Sequence, residues 1–230
     1  MAKWNQFTEE HLSKLTRTIK RRRVDWFIEA LRLGPSDKVL DLGSEDGSYL
    51  GSFYPYPENI WLADIASSER SMQKGVAQYN LGGYYVISES GKLPFNGNEI
   101  DAVWCNSVIE HVTVSFEERG ILNDVEFQEI ARKHQSFFAE EVNRISKKFF
   151  VQTPYKHFPI EAHAWLPFVQ YLPQPARHKL SKMTDAVWVK QWGADFLLYD
   201  KRRFSHDFQM AEIDFERLLN FPKALIAIKK

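Results

Sequence analysis

The chain has 230 residues, of which 44% are hydrophobic and 14% aromatic, a composition that suits one globular domain and excludes a disordered chain. Its 30 basic and 30 acidic residues give a formal net charge of zero, which argues against a dedicated nucleic-acid-binding protein. The single cysteine, Cys105, rules out an internal disulfide framework and a multi-cysteine metal site.

The N-terminal region is predicted to be helical over residues 8–32. Apolar side chains recur there near helical spacing, and a glycine and a proline at 34–35 end the helix. The basic run at 20–23 (KRRR) is typical of a solvated helix face; the alternative is a contact with an anionic substrate or a membrane surface. The first residues lack the apolar core of a signal peptide, and no apolar run approaches 18 residues. We therefore expect a cytoplasmic protein without a membrane span.

Short apolar segments then alternate with helical ones, which predicts an α/β fold with a parallel sheet covered on both faces. The segments with strand character are 39–42, 60–63, 84–87, 100–104 and 149–151, with a final strand at 223–228. Between the fourth and fifth lies a long helix with one apolar face, which comprises Ile130, Phe137, Phe138, Val142 and Ile145.

Residues 154–207 interrupt this alternation with many prolines, histidines and aromatic residues. A loop-rich insertion of this length in a compact domain is usually functional, so we interpret it as a cover over the substrate. The predicted organisation is a single domain over 1–230, with an N-terminal helical segment at 1–34 and the insertion at about 154–207. Trp165, Phe168, Tyr171 and Leu172 in the insertion are interpreted as core, as an apolar acceptor wall or as a surface resting on a membrane.

The loop after the first strand has the pattern of a cofactor site. Asp41 ends the strand, Gly43 and Gly47 bracket the turn, and Asp64 ends the next strand 23 positions later. A dinucleotide site would need more glycines to bind a pyrophosphate on backbone N–H groups. Asp41, Glu45 and Asp46 would instead repel a pyrophosphate and favour a cofactor with sulfonium and ammonium cations, which indicates S-adenosylmethionine.

The chain resembles the class I S-adenosylmethionine-dependent methyltransferases of the kind called methyltransferase type 11. The resemblance covers roughly residues 20–155 and lies in VLDLGSEDGSYL, IWLADIA, ISESGKLPFNGNEIDAVWCNSVIEHV and FFVQTP. The end of the chain, FERLLNFPKALIAIKK, resembles the closing strand pair of the family. The implied fold is a Rossmann-like, doubly wound, mostly parallel sheet of seven strands, with helices on both faces and an antiparallel last strand.

The resemblance also implies the cofactor residues. They are Asp41, Gly43, Ser44, Glu45, Gly47, Asp64, Ile65, Glu89, Ser90 and Asn106. In this assignment Asp64 holds the ribose, Ile65, Glu89 and Ser90 lie near the adenine, and Asn106 lies near the methionine end. The chain departs from the family pattern D-x-G-x-G-x-G at Glu45, which replaces the middle glycine. Its side chain is expected either to contact the cofactor's ammonium group or to turn away.

Transfer of a methyl group to a hydroxyl needs a general base, for which histidine is suited near neutral pH. The candidates are His111, which follows the fourth strand, and His157 and His163, which follow the fifth, with Glu161 to orient one of them. The alternative is that these side chains only cap helices or satisfy backbone groups. The spacing of His157, Glu161 and His163 matches no common metal motif, so no metal is expected.

The sequence therefore predicts an enzyme that methylates a small-molecule acceptor, by O-methylation of a sugar, a glycan precursor or another metabolite. FPIEAHAWLPFVQYLP resembles the cover segment of methyltransferases encoded with surface-polysaccharide enzymes. We expect neither a nucleic-acid partner nor a membrane span. The alternative function is a catalytically inactive, methyltransferase-like binding or scaffold protein, which Glu45 would favour. A nucleotide-dependent reductase is disfavoured by the acidic loop.

Overall fold

The computed structural model describes residues 2–115, 118, 121–184, 188 and 191–230, with only the backbone for 2–15. The described helices are α1 (Ala2–Leu31), α2 (Ser48–Gly51), α3 (Glu69–Tyr79), α4 (Asp124–Ile145), α5 (Gln174–Thr184) and α6 (Lys201–Asp207). The described strands are β1 (Val39–Leu42), β2 (Ile60–Ile65), β3 (Gly83–Ile87), β4 (Ile100–Asn106), β5 (Ser146–Pro154), β6 (Glu212–Leu218) and β7 (Phe221–Lys229). Among these helices none combines the length and the apolar character needed to cross a membrane.

The strands form one seven-stranded sheet in the order β3-β2-β1-β4-β5-β7-β6. Neighbouring strands from β3 to β5 are parallel, and β7 pairs antiparallel with both β5 and β6. The predicted α/β fold, mostly parallel and with an antiparallel last strand, is confirmed. From β1 to β3 the chain adds strands toward one edge of the sheet, and from β4 onward it adds them on the other side of β1. The carboxyl ends of β1 and β4 therefore border the crevice where such sheets bind ligands.

Alternate residues of each strand serve two apolar layers on opposite faces of the sheet. Val39 packs in a cluster with Phe27 of α1 and Met72 of α3. Leu40 packs in a second cluster with Val142 of α4 and Phe204 of α6. All four residues of β1 are buried, because helices cover both faces.

The boundaries of several elements differ from the predictions. β5 begins three residues before the predicted strand and ends three after it, because β4 supports its first residues and β7 pairs with it as far as Pro154. The prediction that Phe137 lies on the buried face of the long helix is wrong, since its side chain is 41% exposed.

The insertion at 154–207 contains α5 and α6, which sequence periodicity did not indicate. It has an apolar cluster of its own, which comprises Ala164, Val169, Trp192, Ala194, Phe196 and Leu198. A backbone bridge between Tyr155 and Tyr199 ties the two ends of the insertion together beside the sheet. The segment is therefore anchored at the carboxyl end of β5.

Candidate functional site

The loop after β1 is fastened to the end of β2. The carboxylate of Asp64 accepts hydrogen bonds from the backbone N–H of Glu45 at 2.9 Å and from that of Ile65 at 2.7 Å. Asp64 is buried, yet each of its oxygens retains a lone pair. This geometry brings the two predicted halves of the cofactor site, after β1 and after β2, into contact.

The loop depends on left-handed backbone geometry at three positions. Gly43 and Gly47 have φ of 79° and 65°, and a Cβ on Gly43 would lie 2.4 Å from Cγ1 of Val108. Glu45 also has positive φ, at 56°, so the glutamate keeps the conformation for which the family pattern uses glycine. Its side chain is exposed, so it does not fill the loop.

Asp41 presents a buried carboxyl beneath this loop. Neither of its oxygens has a hydrogen-bond partner among the described residues, and the same holds for the buried hydroxyl of Ser44. Burial is the main cause that raises the pKa of Asp41 from 3.8 to about 7; the nearby Ser44 hydroxyl opposes the rise, and the negative charges of Asp64 and Asp46 contribute to it. Orphaned acceptors in negative surroundings fit a ligand that carries a positive charge.

The predicted adenine side of the site is open. Ile65 ends β2 with an apolar side chain that is 57% exposed, a suitable surface for a flat aromatic ring. Glu89 and Ser90 lie in the exposed turn after β3, where the hydroxyls of Ser88 and Ser90 are 2.8 Å apart. These residues share the carboxyl edge of the sheet with Asp64.

Asn106 has a partner that the sequence did not suggest. Its side-chain oxygen accepts a hydrogen bond of 2.6 Å from Arg23, whose guanidinium also pairs with Glu216. Arg21 and Arg22 are exposed, as a solvated basic run predicts, but Arg23 is buried. The interpretation of the whole run as solvated is therefore wrong at Arg23, which joins α1 to the ends of β4 and β6.

A cavity of about 510 Å³ lies at the carboxyl end of β5, beneath the insertion. Its wall is mostly apolar and includes Phe158, Trp165 and Leu198. The charged residues in the wall are Arg23, Glu161 and Lys223. This size and this mixture of apolar walls with a few polar groups are typical of small-molecule sites.

Two histidines and two acids meet beside the cavity. Nδ1 of His163 lies 2.5 Å from Oε1 of Glu161, and its Nε2 lies 3.0 Å from Nε2 of His111. Nδ1 of His111 lies 3.5 Å from a carboxylate oxygen of Asp195. The ring of His163 also stacks on Phe196. Segments far apart in the sequence thus build a continuous chain of titratable groups.

Glu110 completes this histidine cluster, defined as Glu110, His111, Glu161, His163 and Asp195. It is 0% exposed; one carboxylate oxygen accepts from the Thr153 hydroxyl at 2.9 Å, and the other lies 3.8 Å from Nε2 of His163. Burial raises the pKa of Glu110, although the two histidines oppose the shift.

The pKa of Glu161 shifts in the opposite direction. Burial alone would raise its pKa, but hydrogen bonds from the His163 ring and from the backbone N–H groups of His163 and Ala164 outweigh burial and lower it. Glu161 is therefore the ionised partner that fixes the orientation of His163.

The structure brings together three of the four predicted catalytic residues, His111, Glu161 and His163. His157 is exposed and contacts Tyr155 and Tyr171 instead, with 3.0 Å between its Nδ1 and the Tyr171 hydroxyl. Glu110 could have been found from its place beside His111 after a predicted strand, whereas no pattern pointed to Asp195. His111 belongs to a short 3-10 turn (Ile109–His111) and not to the start of a helix, since α4 begins only at Asp124.

Comparisons with known proteins agree with this architecture. A family model described as a methyltransferase domain matches residues 40–132, from β1 into α4. No curated protein matches the sequence. A SAM-dependent methyltransferase from Aquifex aeolicus has a TM-score of 0.50 at 16% identity, with 90% of this chain and 89% of that chain covered.

Two further solved structures have the same fold. The N-terminal domain of EvdMO1, determined in the presence of SAH and D-fucose, has a TM-score of 0.52 at 16% identity and coverage of 92% of this chain and 82% of that chain. Magnesium protoporphyrin IX methyltransferase from Synechocystis PCC 6803, with bound SAH, has a TM-score of 0.50 at 14% identity and coverage of 94% and 84%. At these identities the likeness establishes the fold.

Proposed function

Because the chain belongs to the class I S-adenosylmethionine-dependent methyltransferases, we propose that it methylates a hydroxyl of a small-molecule acceptor, namely a sugar or a glycan precursor. The observation that carries this proposal is the histidine cluster beside a cavity of about 510 Å³. A group able to remove a hydroxyl proton and a space suited to a small molecule occur together. EvdMO1, which shares the fold, was determined with D-fucose present, and this supports a sugar as the acceptor.

The cofactor is S-adenosylmethionine, and the residues after β1 and β2 fit it. When bound, this cofactor supplies a methyl group on a positively charged sulfur. Asp64 has lone pairs free to accept from ribose hydroxyls, and exposed Ile65 offers a surface to the adenine. The orphaned carboxyl of Asp41 lies in negative surroundings that suit the cationic methionine end.

On the acceptor side, His163 is the proposed base. Ionised Glu161 favours the tautomer of His163 in which Nδ1 carries the proton and Nε2 keeps a lone pair. This nitrogen can take the proton of the acceptor hydroxyl, and Glu161 then stabilises the imidazolium that forms. The apolar wall formed by Phe158, Trp165 and Leu198 would pack against the hydrocarbon part of the acceptor.

The proposal is tested by a methyl-transfer screen with S-adenosylmethionine against monosaccharides, nucleotide sugars and matched amines and thiols. We expect O-methylation of a sugar hydroxyl, and we expect His163→Gln to lower kcat by about 10²–10⁴-fold, the usual contribution of a general base. The affinity for S-adenosylhomocysteine should be unchanged in that variant. His206→Gln, in the exposed part of the same insertion, is the matched control and should leave kcat unchanged.

Three results would contradict the proposal. Methylation confined to amines or thiols would exclude the hydroxyl acceptor. Full activity in His163→Gln would exclude the assigned base. Absence of heat on titration with either adenosyl ligand would favour a binding or scaffold protein that has lost the activity.

A further inference from the structure

We propose that Glu110, His111 and His163 form a binding site for one divalent transition-metal cation, to which the acceptor hydroxyl coordinates. The binding of the cation stands on the geometry of the cluster alone. Its role toward the acceptor rests on the proposed function. This site departs from the expectation of no metal, which came from the spacing of His157, Glu161 and His163 along the chain.

The three residues are arranged as ligands around one point. Each offers one ligand atom, and these atoms all lie within 4.8 Å of one another. Nε2 of His163 lies 3.0 Å from Nε2 of His111 and 3.8 Å from Oε1 of Glu110. Ligands at about 2.1 Å from a shared ion are roughly 3–4 Å apart, so small side-chain rotations suffice to close the site.

Glu110 supplies an independent indication of a ligand. Its Oε1 is buried and has no hydrogen-bond partner among the described residues, although Oε2 of the same carboxylate accepts from Thr153. A buried carboxylate oxygen without a partner is costly, and this one is directed toward the two histidines. A cation bound between Glu110 and the imidazoles would remove that cost.

The surroundings of the two rings favour a cation over a simple hydrogen bond. The Nδ1 atom of each ring faces a carboxylate, Glu161 for His163 and Asp195 for His111. Carboxylates on the far nitrogen are the usual outer partners of metal-bound histidines, because they fix the tautomer and strengthen the ligand. In the tautomers in which each Nδ1 carries its proton toward its carboxylate, the two Nε2 lone pairs face each other at 3.0 Å, and a cation between them would accept both.

The charge balance points the same way. Glu110, Glu161 and Asp195 bring three carboxylates to the cluster, while Arg177, buried behind Phe196, supplies one cation that is fixed to the Phe196 carbonyl. These acidic side chains provide surroundings in which a cation is favoured. Two imidazoles and one carboxylate suit Mn²⁺, Fe²⁺ or Zn²⁺ better than Mg²⁺ or Ca²⁺, which prefer oxygen ligands.

Three protein ligands leave coordination positions for the acceptor. The cavity meets the cluster at Glu161, which contacts the far nitrogen of the ligand His163, so an acceptor oxygen must reach past Glu161 to coordinate the proposed ion. Coordination lowers the pKa of the hydroxyl, whose proton passes to solvent water. The oxygen then forms the new C–O bond with an electron pair, while the methyl–sulfur bond breaks and its electron pair remains on sulfur. In the cation-bound protein His163 acts as a ligand, and the proton no longer requires it as a base.

The test is a titration of chelator-treated, tag-free protein with Mn²⁺, Co²⁺, Zn²⁺ and Mg²⁺, without cofactor or acceptor. We expect one equivalent of Mn²⁺ by loss of its free EPR signal, a Co²⁺ visible spectrum typical of nitrogen ligation, and much weaker Mg²⁺ binding. Glu110→Gln and His163→Gln should weaken binding by at least about 100-fold, and Glu161→Gln by about 10–100-fold. Glu129→Gln and His206→Gln, both exposed, are the matched controls.

Absence of stoichiometric binding, or equal binding by Glu110→Gln and wild type with matching circular dichroism spectra, would overturn the site. Its failure would leave the proposed function intact, since titration of metal-free protein with S-adenosylhomocysteine measures that separately. If the cation binds but methyl transfer to the acceptor is unaffected by chelation, the role toward the hydroxyl is wrong.

Discussion

The carboxyl of Asp41 makes the stability of the ligand-free protein depend on pH. Burial raises its pKa from 3.8 to about 7, so between these values the folded protein holds a proton that the unfolded chain has released. The free energy of unfolding should therefore fall as pH rises from about 4 to about 7. The stabilisation is complete below the unfolded pKa and is lost above the folded one.

Asp41→Asn should remove this contribution. We expect the variant to lose the wild-type decrease in unfolding free energy between pH 5 and pH 8, so that the two proteins differ most at pH 8, where the variant is the more stable. Urea unfolding at several pH values measures the effect, with exposed Glu58→Gln as the control. Parallel pH profiles for wild type and Asp41→Asn would show that this carboxyl does not titrate as burial predicts.

At the residue scale, the sequence could locate the glycines and acids of the predicted cofactor loop because they lie at or directly after the end of β1. Asp41, Gly43 and Gly47 lie within seven positions of the chain, so the path of the backbone is enough to bring them close together. The sequence could not predict the backbone conformation of Glu45 or the direction of its side chain, because both depend on contacts that no sequence pattern records. The structure gives Glu45 a left-handed conformation and an exposed side chain.

Among the elements, the hairpin between β6 and β7 carries an unfavourable turn. Leu219 and Asn220 form a two-residue connection in which both have positive φ, 49° and 68°, and the Leu219 side chain is 86% exposed. Such turns favour Asn-Gly, and a leucine in the left-handed region costs about 1–2 kcal/mol. Backbone strain therefore reduces the stability of the closing strand pair.

The double change Leu219→Asn with Asn220→Gly should raise the free energy of unfolding by about 1 kcal/mol, since it replaces the strained leucine with residues that accept positive φ. Denaturant unfolding measures the gain. Met210→Asn, which removes another exposed apolar side chain outside the turn, is the control and should give no comparable gain. Equal stabilities of the double variant and wild type would mean that the turn is not strained.

The strands were predictable and the insertion was not, for one physical reason. β1, β4 and β5 are buried along most of their length, so short apolar runs identify them without knowledge of their neighbours. α5 instead packs on a small cluster assembled from scattered residues such as Val169 and Phe196. Its buried face includes Arg177 and Ser181, so its apolar periodicity is weak.

For the molecule as a whole, the predicted cofactor residues follow one another closely along the chain, whereas the members of the histidine cluster are widely separated in the sequence. Glu110, Glu161 and Asp195 come from three separate segments, and only the folded insertion brings them together. Sequence spacing pointed to His157 as well as His163, but the direction of each side chain depends on the path of a proline-rich loop. This cluster forms by packing between distant parts of the chain, which a local sequence pattern does not record.

The two halves should respond to ligands independently. S-adenosylhomocysteine at 100 times its Kd should stabilise wild type by about 2.7 kcal/mol, or roughly 5–10 °C in Tm. Asp64→Ala should lose most of this shift, because each lost hydrogen bond to a charged group is worth about 1.5–3 kcal/mol. The same variant should keep the shift caused by Mn²⁺, whereas Glu110→Gln should show the reverse pattern in thermal unfolding. Loss of both shifts in Asp64→Ala would show that the halves are coupled.

The order of the site along the chain also bears on how the gene can recombine. Nine of the ten predicted cofactor residues precede position 91, whereas the histidine cluster begins at Glu110. A single crossover in the codons for 91–99 would separate nine of these ten residues from the histidine cluster, and only Asn106 would go with the cluster. Arg23 reaches across that boundary to Asn106 and Glu216, so a chimaera would need to preserve this triplet. New acceptor specificities are therefore accessible to the gene by exchange of its second half.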